Sequence, residues 1–424
     1  MKWIVRPSKL SGSIAIPPSK SHTIRALLVS TLAQGVSVIK RPLLKGDGAS
    51  ALGAAKSLGA QIDVRDDELI VKGVGGSFIE GADSIDMGNS GTGLNLFSSA
   101  AALGNRKRRF DGDKSLRTRP VKPLLSALSV LGATVSYEST SQDLPFTIQG
   151  PIRGGKVSVD GISSQFVSSL LFACPLAQGD THINVFNIHE QPYIEITLWW
   201  LAKQGIEIEY SRELTSYQIT GGQSYSSFDM IVPADFSSAT FSAVAASMAD
   251  TQIELVGLDF SDPQGDKGIF PVLQSMGAQI CHEEASVRVS GGELSGQIID
   301  LNSMPDALPA LSIAAAVASG ETVFTNVAQA RIKETDRIKV MAQELGKMGI
   351  EVEELPDGMV VKGGKLKGAH VDGHDDHRVV MALALAGMNA QGETVIDTAE
   401  AAEVTYPTFV EDFRRLGADI EVIV

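Results

Sequence analysis

Apolar and polar positions follow a repeating order along the chain. Residues 69–72, 146–149 and 359–362 alternate between apolar and polar side chains, which is typical of strands with one face in water. Residues 166–177 and 308–319 are apolar almost all round, so we expect the helices there to be buried. Each buried helix is expected to be followed by a second, amphipathic helix that ends at a glycine.

The same glycine-ended phrase recurs six times. A helix-like stretch ends in glycine, a small or β-branched residue follows and a strand begins, at Gly59, Gly132, Gly205, Gly277, Gly349 and Gly417. The spacing is roughly seventy residues, and self-similarity at a fixed period indicates a repeated supersecondary unit. The pattern therefore predicts an α/β protein built from six copies of one unit of strands and helices.

The two ends of the chain belong to the same predicted domain. The sixth copy stops at residues 420–424 without its closing strand, and residues 3–7 resemble the strand that is missing. Six units exceed a single hydrophobic core, so we divide them three and three. We expect one domain at residues 19–228 and a discontinuous one at 1–18 plus 229–424. Two crossover strands would join them, with the active site in the cleft between the domains.

Composition and charge narrow the class of protein. With 43% hydrophobic and 20% charged residues the chain can bury a large core, and its net charge of −14 argues against a nucleic-acid or anionic-membrane surface. Cys174 and Cys281 are too few for a disulfide framework or a thiolate metal site, and we expect both to be buried. We find no apolar run near ~20 residues and no signal or transit peptide, and therefore expect a soluble, cytoplasmic protein.

A polar cluster precedes each predicted buried helix. The six clusters are residues 19–21, 89–92, 163–165, 237–238, 305–307 and 375–378. Each carries residues typical of helix N-caps, so plain capping is one interpretation. Capping does not call for the lysine, the glutamine or the histidine–arginine pair in these clusters, and helix N-termini gathered at one cleft form an anion site. We prefer capping for 237–238 and anion binding for the other five.

Two segments are densely charged. Five of the seven side chains in 331–337 are charged, and arginine and lysine also crowd residues 106–119. Charge runs usually form solvated faces, but closely spaced cations beside a glutamate can also grip a phosphate or carboxylate. The residues themselves leave both interpretations open.

Eight motifs occur in a fixed order along the chain. They are Pro18-Ser19-Lys20-Ser21 with Arg25, Asn89-Ser90-Gly91-Thr92, Arg117-Thr118-Arg119-Pro120, Ser163-Ser164-Gln165-Phe166, Gln264-Gly265-Asp266, Met304-Pro305-Asp306-Ala307, Arg331 to Arg337, and Asp376-His377-Arg378. In this order they resemble the EPSP synthase (3-phosphoshikimate 1-carboxyvinyltransferase) family over essentially the whole chain. The resemblance implies two domains, each of three βαβαββ-like units with buried helices and outer sheets (an inside-out α/β barrel). It also implies transfer of an enolpyruvyl group from phosphoenolpyruvate to the 5-hydroxyl of shikimate 3-phosphate, with release of phosphate, in the pathway to chorismate and the aromatic amino acids.

The resemblance also implies roles for individual residues. Catalysis falls to Asp306 as proton acceptor, Glu334 as proton donor to the methylene and Lys20 as an assisting group. The residues implied for phosphoenolpyruvate are Lys20, Asn89, Gly91, Arg119, Gln165, Arg337 and Arg378. The residues implied for shikimate 3-phosphate are Lys20, Ser21, Arg25, Ser163, Ser164, Gln165, Tyr193, Asp306 and Lys333. No metal or organic cofactor is implied, and we expect a monomer that is sensitive to glyphosate, the family's inhibitor.

Three positions depart from the pattern of many family members. Asn95 and Val404 stand where an arginine and a lysine are common, and Glu190 stands where serine or arginine is common. We interpret them as lineage variants because the acid–base residues Asp306 and Glu334 are retained.

Two other functions fit parts of the same pattern. A UDP-N-acetylglucosamine enolpyruvyl transferase would resemble this chain, but residues 105–120 contain no cysteine and Lys20-Ser21 stands where that family prefers Lys-Asn. A non-catalytic paralogue would be favoured by loss of the acids, and both acids are present.

Overall fold

The chain forms two compact units. The computed structural model describes residues 1–76, 81–138, 140, 143–248, 251–283 and 286–424. We call Met1–Pro17 together with Pro233–Val424 the terminal unit, and Pro18–Val232 the central unit. Within the described ranges, no helix combines the length and apolar character needed to cross a membrane.

The helices alternate along the chain between apolar and amphipathic ones. The α-helices of the described residues are α1 (Lys20–Leu32), α2 (Asp47–Ser57), α3 (Gly91–Ala101), α4 (Lys122–Val130), α5 (Ser164–Ala173), α6 (Gln191–Lys203), α7 (Phe236–Ser247), α8 (Ile269–Met276), α9 (Leu308–Val317), α10 (Arg337–Lys347), α11 (His377–Met388) and α12 (Phe409–Arg415). Short 3₁₀ helices occupy Leu116–Thr118, Cys174–Leu176, Gly265–Gly268, Pro305–Ala307, Ala328–Ile332 and Ala399–Val404.

The strands are short and recur in the same order in each copy of the unit. They are β1 (Lys2–Arg6), β2 (Ser11–Ala15), β3 (Val36–Lys40), β4 (Gln61–Arg65), β5 (Glu68–Lys72), β6 (Ser84–Asp86), β7 (Arg108–Asp111), β8 (Thr134–Tyr137), β9 (Phe146–Gln149), β10 (Gly155–Asp160), β11 (Thr181–Phe186), β12 (Ile208–Tyr210), β13 (Ser216–Ile219), β14 (Asp229–Ile231), β15 (Gln252–Val256), β16 (Gln279–His282), β17 (Ser286–Ser290), β18 (Ile298–Asp300), β19 (Glu321–Thr325), β20 (Glu351–Leu355), β21 (Gly358–Lys362), β22 (His370–Asp372), β23 (Thr394–Asp397) and β24 (Asp419–Ile423).

These strands form four-stranded sheets of one topology. The central unit holds β14-β3-β5-β4, β6-β7-β9-β8 and β10-β11-β13-β12, and the terminal unit holds β2-β15-β17-β16, β18-β19-β21-β20 and β22-β23-β1-β24. The first pair in each order is parallel and the other two pairs are antiparallel. Each sheet is separate, so the described strands do not close into a single barrel.

Segments distant in sequence complete three of the sheets. Strand β1 lies between β23 and β24, with Trp3 opposite Ile396 on one side and Val422 on the other. The parallel edge strand β14 pairs with β3 in the central unit, and β2 pairs with β15 in the terminal unit. Strands β2 and β14, which directly precede the two points where the chain passes from one unit to the other, are therefore edge strands of these sheets.

Apolar helices fill the core of each unit. In the terminal unit α7, α9 and α11 pack against one another, and in the central unit α3 packs against both α1 and α5. Every residue of α11 is buried. The strands bury one face, as in β1, where Trp3 and Val5 are buried and Lys2 is exposed. The predicted arrangement of buried helices and outer sheets is confirmed.

The repeated glycine has a conformational cause. Gly59, Gly132, Gly205, Gly277, Gly349 and Gly417 all have positive φ angles. A residue with a side chain is strained in that region, and a left-handed residue commonly ends a helix. The glycine therefore recurs because each amphipathic helix must turn sharply into the next strand.

The two cysteines differ in exposure. Cys174 is buried at the C-terminal end of α5, and burial raises the pKa of its thiol to about 12. Cys281 is exposed, so the prediction that both are buried is wrong for this residue. Its strand, β16, lies at the edge of a sheet, where little packs over it.

Candidate active site

One buried arginine joins three carboxylates in the terminal unit. Arg337 is the first residue of α10 and is 1% exposed. Its Nη1 donates to Asp306 at 2.7 Å and its Nη2 donates to Glu334 at 2.6 Å. Its Nε donates to Asp376 at 2.8 Å. Burial acts to lower the pKa of this guanidinium, but the three carboxylates outweigh burial and raise the pKa above its ordinary value. Arg337 is therefore always charged and holds the three acids in fixed positions.

Asp306 lies between two arginines. Arg337 binds its Oδ1, and Arg378 Nη2 lies 2.8 Å from its Oδ2. Asp306 belongs to the 3₁₀ helix just before α9, whose N-cap residue is Ala307 and has no capping side-chain bond. The Asp306 carboxylate therefore binds the two arginines and does not cap α9. Two charge-assisted contacts hold the Asp306 carboxylate in one orientation.

Asp376 has two roles at the start of α11. It is the N-cap residue, and its Oδ1 accepts from the backbone N–H of Arg378 at 2.9 Å. The same buried carboxylate accepts from Arg337. Residues 375–378 therefore cap a helix and also join the charged cluster.

The charged segment 331–337 divides between structural and cluster residues. Arg331 donates to the backbone oxygens of Leu355 and Pro356, and also to Asp336, which caps α10. Arg331 therefore anchors the turn between β20 and β21. Lys333 is half-buried between this anchor and α10. Residues 331–337 therefore form neither a uniformly solvated surface nor a single anion-binding group.

In the central unit, Arg119 approaches the start of α3. Its Nη2 donates to Asn89 Oδ1 at 2.6 Å, and Asn89 Nδ2 donates to Asp113 at 2.6 Å. A Cβ built on Gly91 would lie 3.0 Å from Arg119 Nη1. The absence of a side chain at Gly91 therefore lets the guanidinium lie against the first turn of α3.

The start of α5 carries three neighbouring polar residues. Ser163 is the N-cap residue and accepts from the backbone N–H of Gln165. Ser164 Oγ donates to Glu190 at 2.8 Å, inside the unit. Glu190 is buried and has φ +55°, at the N-cap position of α6. Glu190, which departs from the pattern of many family members, therefore accepts a hydrogen bond from the candidate site residue Ser164.

Gln165 links α5 to α3. Its Oε1 accepts from Asn95 at 2.8 Å, and its Nε2 donates to Thr92 Oγ1 at 3.2 Å. Both partners lie on the first turns of α3, close to Gly91. Gln165 thus belongs to the same group of side chains as Arg119.

Lys20 and Asp47 form an ion pair between α1 and α2. Lys20 is the first residue of α1, and its Nζ lies 3.3 Å from Asp47 Oδ2. Both side chains are largely buried, with 14% and 6% exposed. The carboxylate offsets part of the cost of burying the ammonium group and orients it.

Arg25 supports two other candidate residues. It is buried in α1, and its Nε donates to Thr197 at 3.1 Å. Its Nη1 donates to the backbone oxygen of Ser21 at 3.1 Å, and its Nη2 donates to that of Tyr193 at 3.0 Å. Burial lowers the pKa of Arg25 to about 10, which leaves it protonated at neutral pH. Arg25 therefore ties Ser21 to Tyr193.

Most of the basic stretch 106–119 is used for structure. Its ion pairs are Arg106 with Asp83 at 2.7 Å, Arg109 with Glu138 at 2.7 Å and Arg117 with Asp111 at 2.8 Å. Arg108 is buried and donates to the backbone oxygens of Ser57 and Ala82. Arg119, by contrast, joins the group at the start of α3.

The cap of α7 lies before the predicted serines. Asp235 is the N-cap residue and accepts from both the backbone and the hydroxyl of Ser238. Ser237 Oγ donates to the buried Asp266 at 2.7 Å. Burial and the charge of Asp306 raise the pKa of Asp266 to about 6. The preference for capping by 237–238 is therefore wrong, because these serines lie inside the helix.

The predicted site residues are divided between the two units. The terminal unit holds Asp306, Lys333, Glu334, Arg337 and Arg378, and the central unit holds Lys20, Ser21, Arg25, Asn89, Gly91, Arg119, Ser163, Ser164, Gln165 and Tyr193. Ion pairs bring Asp306, Glu334, Arg337 and Arg378 together. In the central unit the contacts pair Arg119 with Asn89, and Arg25 with Ser21 and Tyr193.

Several residues of these groups were missed by the sequence analysis. Thr92, Asp266 and Asp376 lie inside the recognised motifs but received no role. The sequence signal that could have identified these three residues is a polar side chain within a motif whose other residues were assigned to the site. Asp47 stands outside the motifs, and nothing in the sequence distinguishes it from an ordinary acid in the first turn of a helix.

Comparison with known proteins identifies the family. A model of the EPSP synthase (3-phosphoshikimate 1-carboxyvinyltransferase) family matches residues 4–413. The chain belongs to the EPSP synthase family. A 3-phosphoshikimate 1-carboxyvinyltransferase of Acetivibrio thermocellus is 48% identical over 416 residues, which cover 98% of each chain. One from Methanocella arvoryzae is 43% identical over 422 residues, covering 99% of each chain.

Solved structures agree with this assignment. An EPSP synthase from Acinetobacter baumannii superposes with a TM-score of 0.84 at 27% identity. The match covers 99% of this chain and 100% of that one. The repeated units with buried helices are therefore the EPSP synthase fold over the full length of the chain.

Proposed function

We propose that this chain transfers the enolpyruvyl group of phosphoenolpyruvate to the 5-hydroxyl of shikimate 3-phosphate, giving 5-enolpyruvylshikimate 3-phosphate and phosphate. Membership of the EPSP synthase family supports this reaction. The observation that carries it is the cluster in which Arg337 holds Asp306 and Glu334. Addition to an enol double bond needs one group that takes a proton and one that gives a proton. Two carboxyl groups held by one arginine meet that need, with Asp306 ionised and Glu334 protonated before the addition.

The chemistry proceeds by addition and then elimination. In the addition, the 5-oxygen of the acceptor bonds to C2 of phosphoenolpyruvate. Asp306 takes the hydroxyl proton, while Glu334, assisted by Lys20, gives a proton to C3. In the elimination, C3 returns a proton to Glu334 and the bond between C2 and the phosphate oxygen breaks. The departing phosphate takes the electron pair and the proton held by Asp306, so both acids regain their starting states.

Both substrates are anions, and the candidate residues assigned to binding them include Lys20 and Asp306 from the catalytic set. For phosphoenolpyruvate these are Lys20, Asn89, Gly91, Arg119, Gln165, Arg337 and Arg378. For shikimate 3-phosphate they are Lys20, Ser21, Arg25, Ser163, Ser164, Gln165, Tyr193, Asp306 and Lys333. Arg119 beside the first turn of α3 supports the first assignment, because a helix N-terminus and a guanidinium both attract anions.

The two alternative functions lack support. Cys174 lies in a 3₁₀ helix after α5 and Cys281 in β16, so neither stands in the 105–120 segment where a UDP-N-acetylglucosamine enolpyruvyl transferase carries its reactive cysteine. A non-catalytic paralogue would have no need to keep Asp306 and Glu334 in ion pairs with one buried arginine.

We extend the proposal to a monomeric, cytoplasmic enzyme. The acidic composition, with a net charge of −14, fits a cytoplasmic protein. Light scattering during size-exclusion chromatography should give a mass near the 44.8 kDa of one chain. A mass of twice that value would overturn the monomer.

Phosphate release tests the proposed reaction. The purified chain is incubated with phosphoenolpyruvate and either shikimate 3-phosphate or UDP-N-acetylglucosamine, and inorganic phosphate is measured over time. We expect release with shikimate 3-phosphate and none with the nucleotide sugar. Release with the nucleotide sugar would assign the rival enzyme, and no release with either acceptor would overturn the enzyme function.

A further inference from the structure

Asn95 occupies a buried position beside the candidate binding residues of the central unit. It lies on α3 and is 4% exposed. Its Nδ2 donates to the backbone oxygen of Gly91 at 2.9 Å and to Gln165 Oε1 at 2.8 Å. Many family members have an arginine here, so the sequence alone marks Asn95 as a departure. The two hydrogen bonds of Asn95 determine how the neighbouring Gln165 side chain is oriented.

The carbonyl of Gly91 fixes the orientation of Asn95. A backbone carbonyl oxygen only accepts hydrogen bonds, so the atom of Asn95 that faces Gly91 must be the amide nitrogen. The same nitrogen faces Gln165, and the facing atom of Gln165 must therefore be its oxygen. The assignment of both side-chain amides follows from one unambiguous acceptor.

The orientation of Gln165 follows in turn. With Oε1 turned to Asn95, Nε2 faces Thr92 and donates to its hydroxyl at 3.2 Å. Gln165 Oε1 would lie 3.6 Å from a Cβ at Gly91, the position that Arg119 also approaches. The amide of Gln165 is thus held in one of its two orientations, next to the proposed phosphoenolpyruvate residues.

We infer that Asn95 is a positioning residue that orients the Gln165 amide for binding phosphoenolpyruvate. This inference rests on the proposed function, because Gln165 contacts substrate only if that function is right. An anionic substrate is bound by the N–H groups of an amide and repelled by its oxygen. Asn95 keeps the oxygen of Gln165 engaged, and Thr92 accepts from one N–H of Nε2, so the second N–H of Nε2 remains to donate to an anion. A flipped amide would exchange the positions of the oxygen and the nitrogen.

Asn95→Leu is the variant that removes the orientation without adding charge. Leucine branches at the same carbon as asparagine but is bulkier and donates no hydrogen bond, so Gln165 loses the partner of its oxygen. Asn95→Ala serves as a second variant if the leucine destabilises the fold. Ser98→Ala is the matched control, because Ser98 is a buried polar residue of the same helix whose hydroxyl donates to Leu94 O.

A kinetic double-mutant cycle measures the link to Gln165. We expect Asn95→Leu to raise the KM for phosphoenolpyruvate about tenfold, a size typical of a lost hydrogen bond to a charged group, with a smaller change in kcat. In a Gln165→Ala background the same change should add less than about twofold, because its effect passes through Gln165. An equal effect in both backgrounds, or no effect in the wild type, would overturn the inference.

A nuclear magnetic resonance measurement separates this inference from the proposed function. In protein labelled with ¹⁵N-glutamine, the side-chain amide signals of Gln165 are assigned by their loss in Gln165→Ala. We expect Asn95→Leu to move these signals, while Ser98→Ala leaves them in place. Unchanged signals in Asn95→Leu would overturn the positioning role, whether or not the wild type turns over substrate. Inactive wild-type protein whose signals do move would instead count against the proposed function.

Discussion

Arg337 donates to Asp306 over 2.7 Å from a side chain that is 1% exposed. Arg337 opens α10 and Asp306 lies just before α9, so one bond ties two helix starts together. The direction of the Asp306 carboxylate therefore depends on a residue from another segment of the chain. If Asp306 is the proton acceptor proposed above, a carboxylate held in this way needs little further ordering when the substrate binds.

Glu334→Gln tests the proposed proton donor. Glutamine keeps the size of the side chain and can still accept from Arg337, but it cannot donate and recover the proton. We expect turnover to fall about 10²-fold or more, as for other groups that transfer a proton in the transition state. The measurement is kcat for phosphate release. Glu353→Gln, on an exposed position of β20, is the control and should keep normal turnover. Near-normal turnover in Glu334→Gln would reassign the donor.

Two substitutions of Asp376 separate its charge from its cap. Asp376→Asn keeps the N-cap but removes the buried ion pair with Arg337, and should lower the free energy of unfolding by about 3 kcal/mol. Asp376→Ala also removes the cap and should cost a further ~1 kcal/mol. Urea unfolding followed by circular dichroism measures both. If the two variants are equally stable, Asp376 does not cap α11.

The pKa of Asp266 predicts a pH dependence of stability. Burial, with the charge of Asp306, raises this pKa to about 6 from 3.8. The folded chain therefore binds the proton more tightly than the unfolded chain, so stability from this group is greatest below pH 4. It falls as pH rises toward 6 and is then constant. Asp266→Asn stays neutral, so relative to the wild type it should gain about 2 kcal/mol between pH 4 and pH 7. Urea unfolding of both proteins at the two pH values provides the test. A pH-independent difference would contradict the raised pKa.

Gly91→Ala tests the close approach of Arg119. The added methyl group would lie 3.0 Å from Arg119 Nη1, so the guanidinium must move. We expect the KM for phosphoenolpyruvate to rise about tenfold through a weakened charged hydrogen bond. Gly53→Ala is the matched control, because a Cβ at this helical glycine meets nothing within 4 Å.

We also expect glyphosate to inhibit the wild type and to inhibit Gly91→Ala less. Full wild-type activity at high glyphosate and low phosphoenolpyruvate would refute the first of these expectations.

The two cysteines should differ in reactivity. Cys281 is exposed, whereas Cys174 is buried and its thiol has a pKa of about 12. Thiolate is the reactive form, so a disulfide reagent at pH 8 should label one thiol rapidly in the native chain and a second one only after unfolding. Cys281→Ser should abolish the rapid phase. Rapid labelling of two thiols in the native chain would show that Cys174 is accessible.

Local features of the fold could be predicted from the sequence. Alternating burial in strands and the positive φ of Gly277 or Gly349 are properties of single segments, and they leave a direct mark on residue types. The burial of the helices at residues 166–177 and 308–319 followed from their apolar composition, whereas the placement of the sheets outside the helices came from the family resemblance. The exposure of Cys281 escaped prediction because it depends on which strand forms the edge of its sheet.

The candidate site was predicted in part for the same reason. Helix starts carry their own signature, so Lys20, Asp306 and Arg378 could be found from local composition. Partners chosen by helix packing leave no such mark: Asn95 and Gln165 are 70 positions apart, and Arg25 and Thr197 are 172 positions apart. The structure is needed to bring such pairs together.

Phosphorus-31 nuclear magnetic resonance of the chain mixed with phosphoenolpyruvate and shikimate 3-phosphate tests the proposed reaction most directly. The expected result is the loss of both substrate signals and the growth, in equal amounts, of inorganic phosphate and 5-enolpyruvylshikimate 3-phosphate. The same mixture with Asp306→Asn should change far more slowly. Substrate signals that stay unchanged with the wild-type chain, or phosphate that forms without the enolpyruvyl product, would contradict the account.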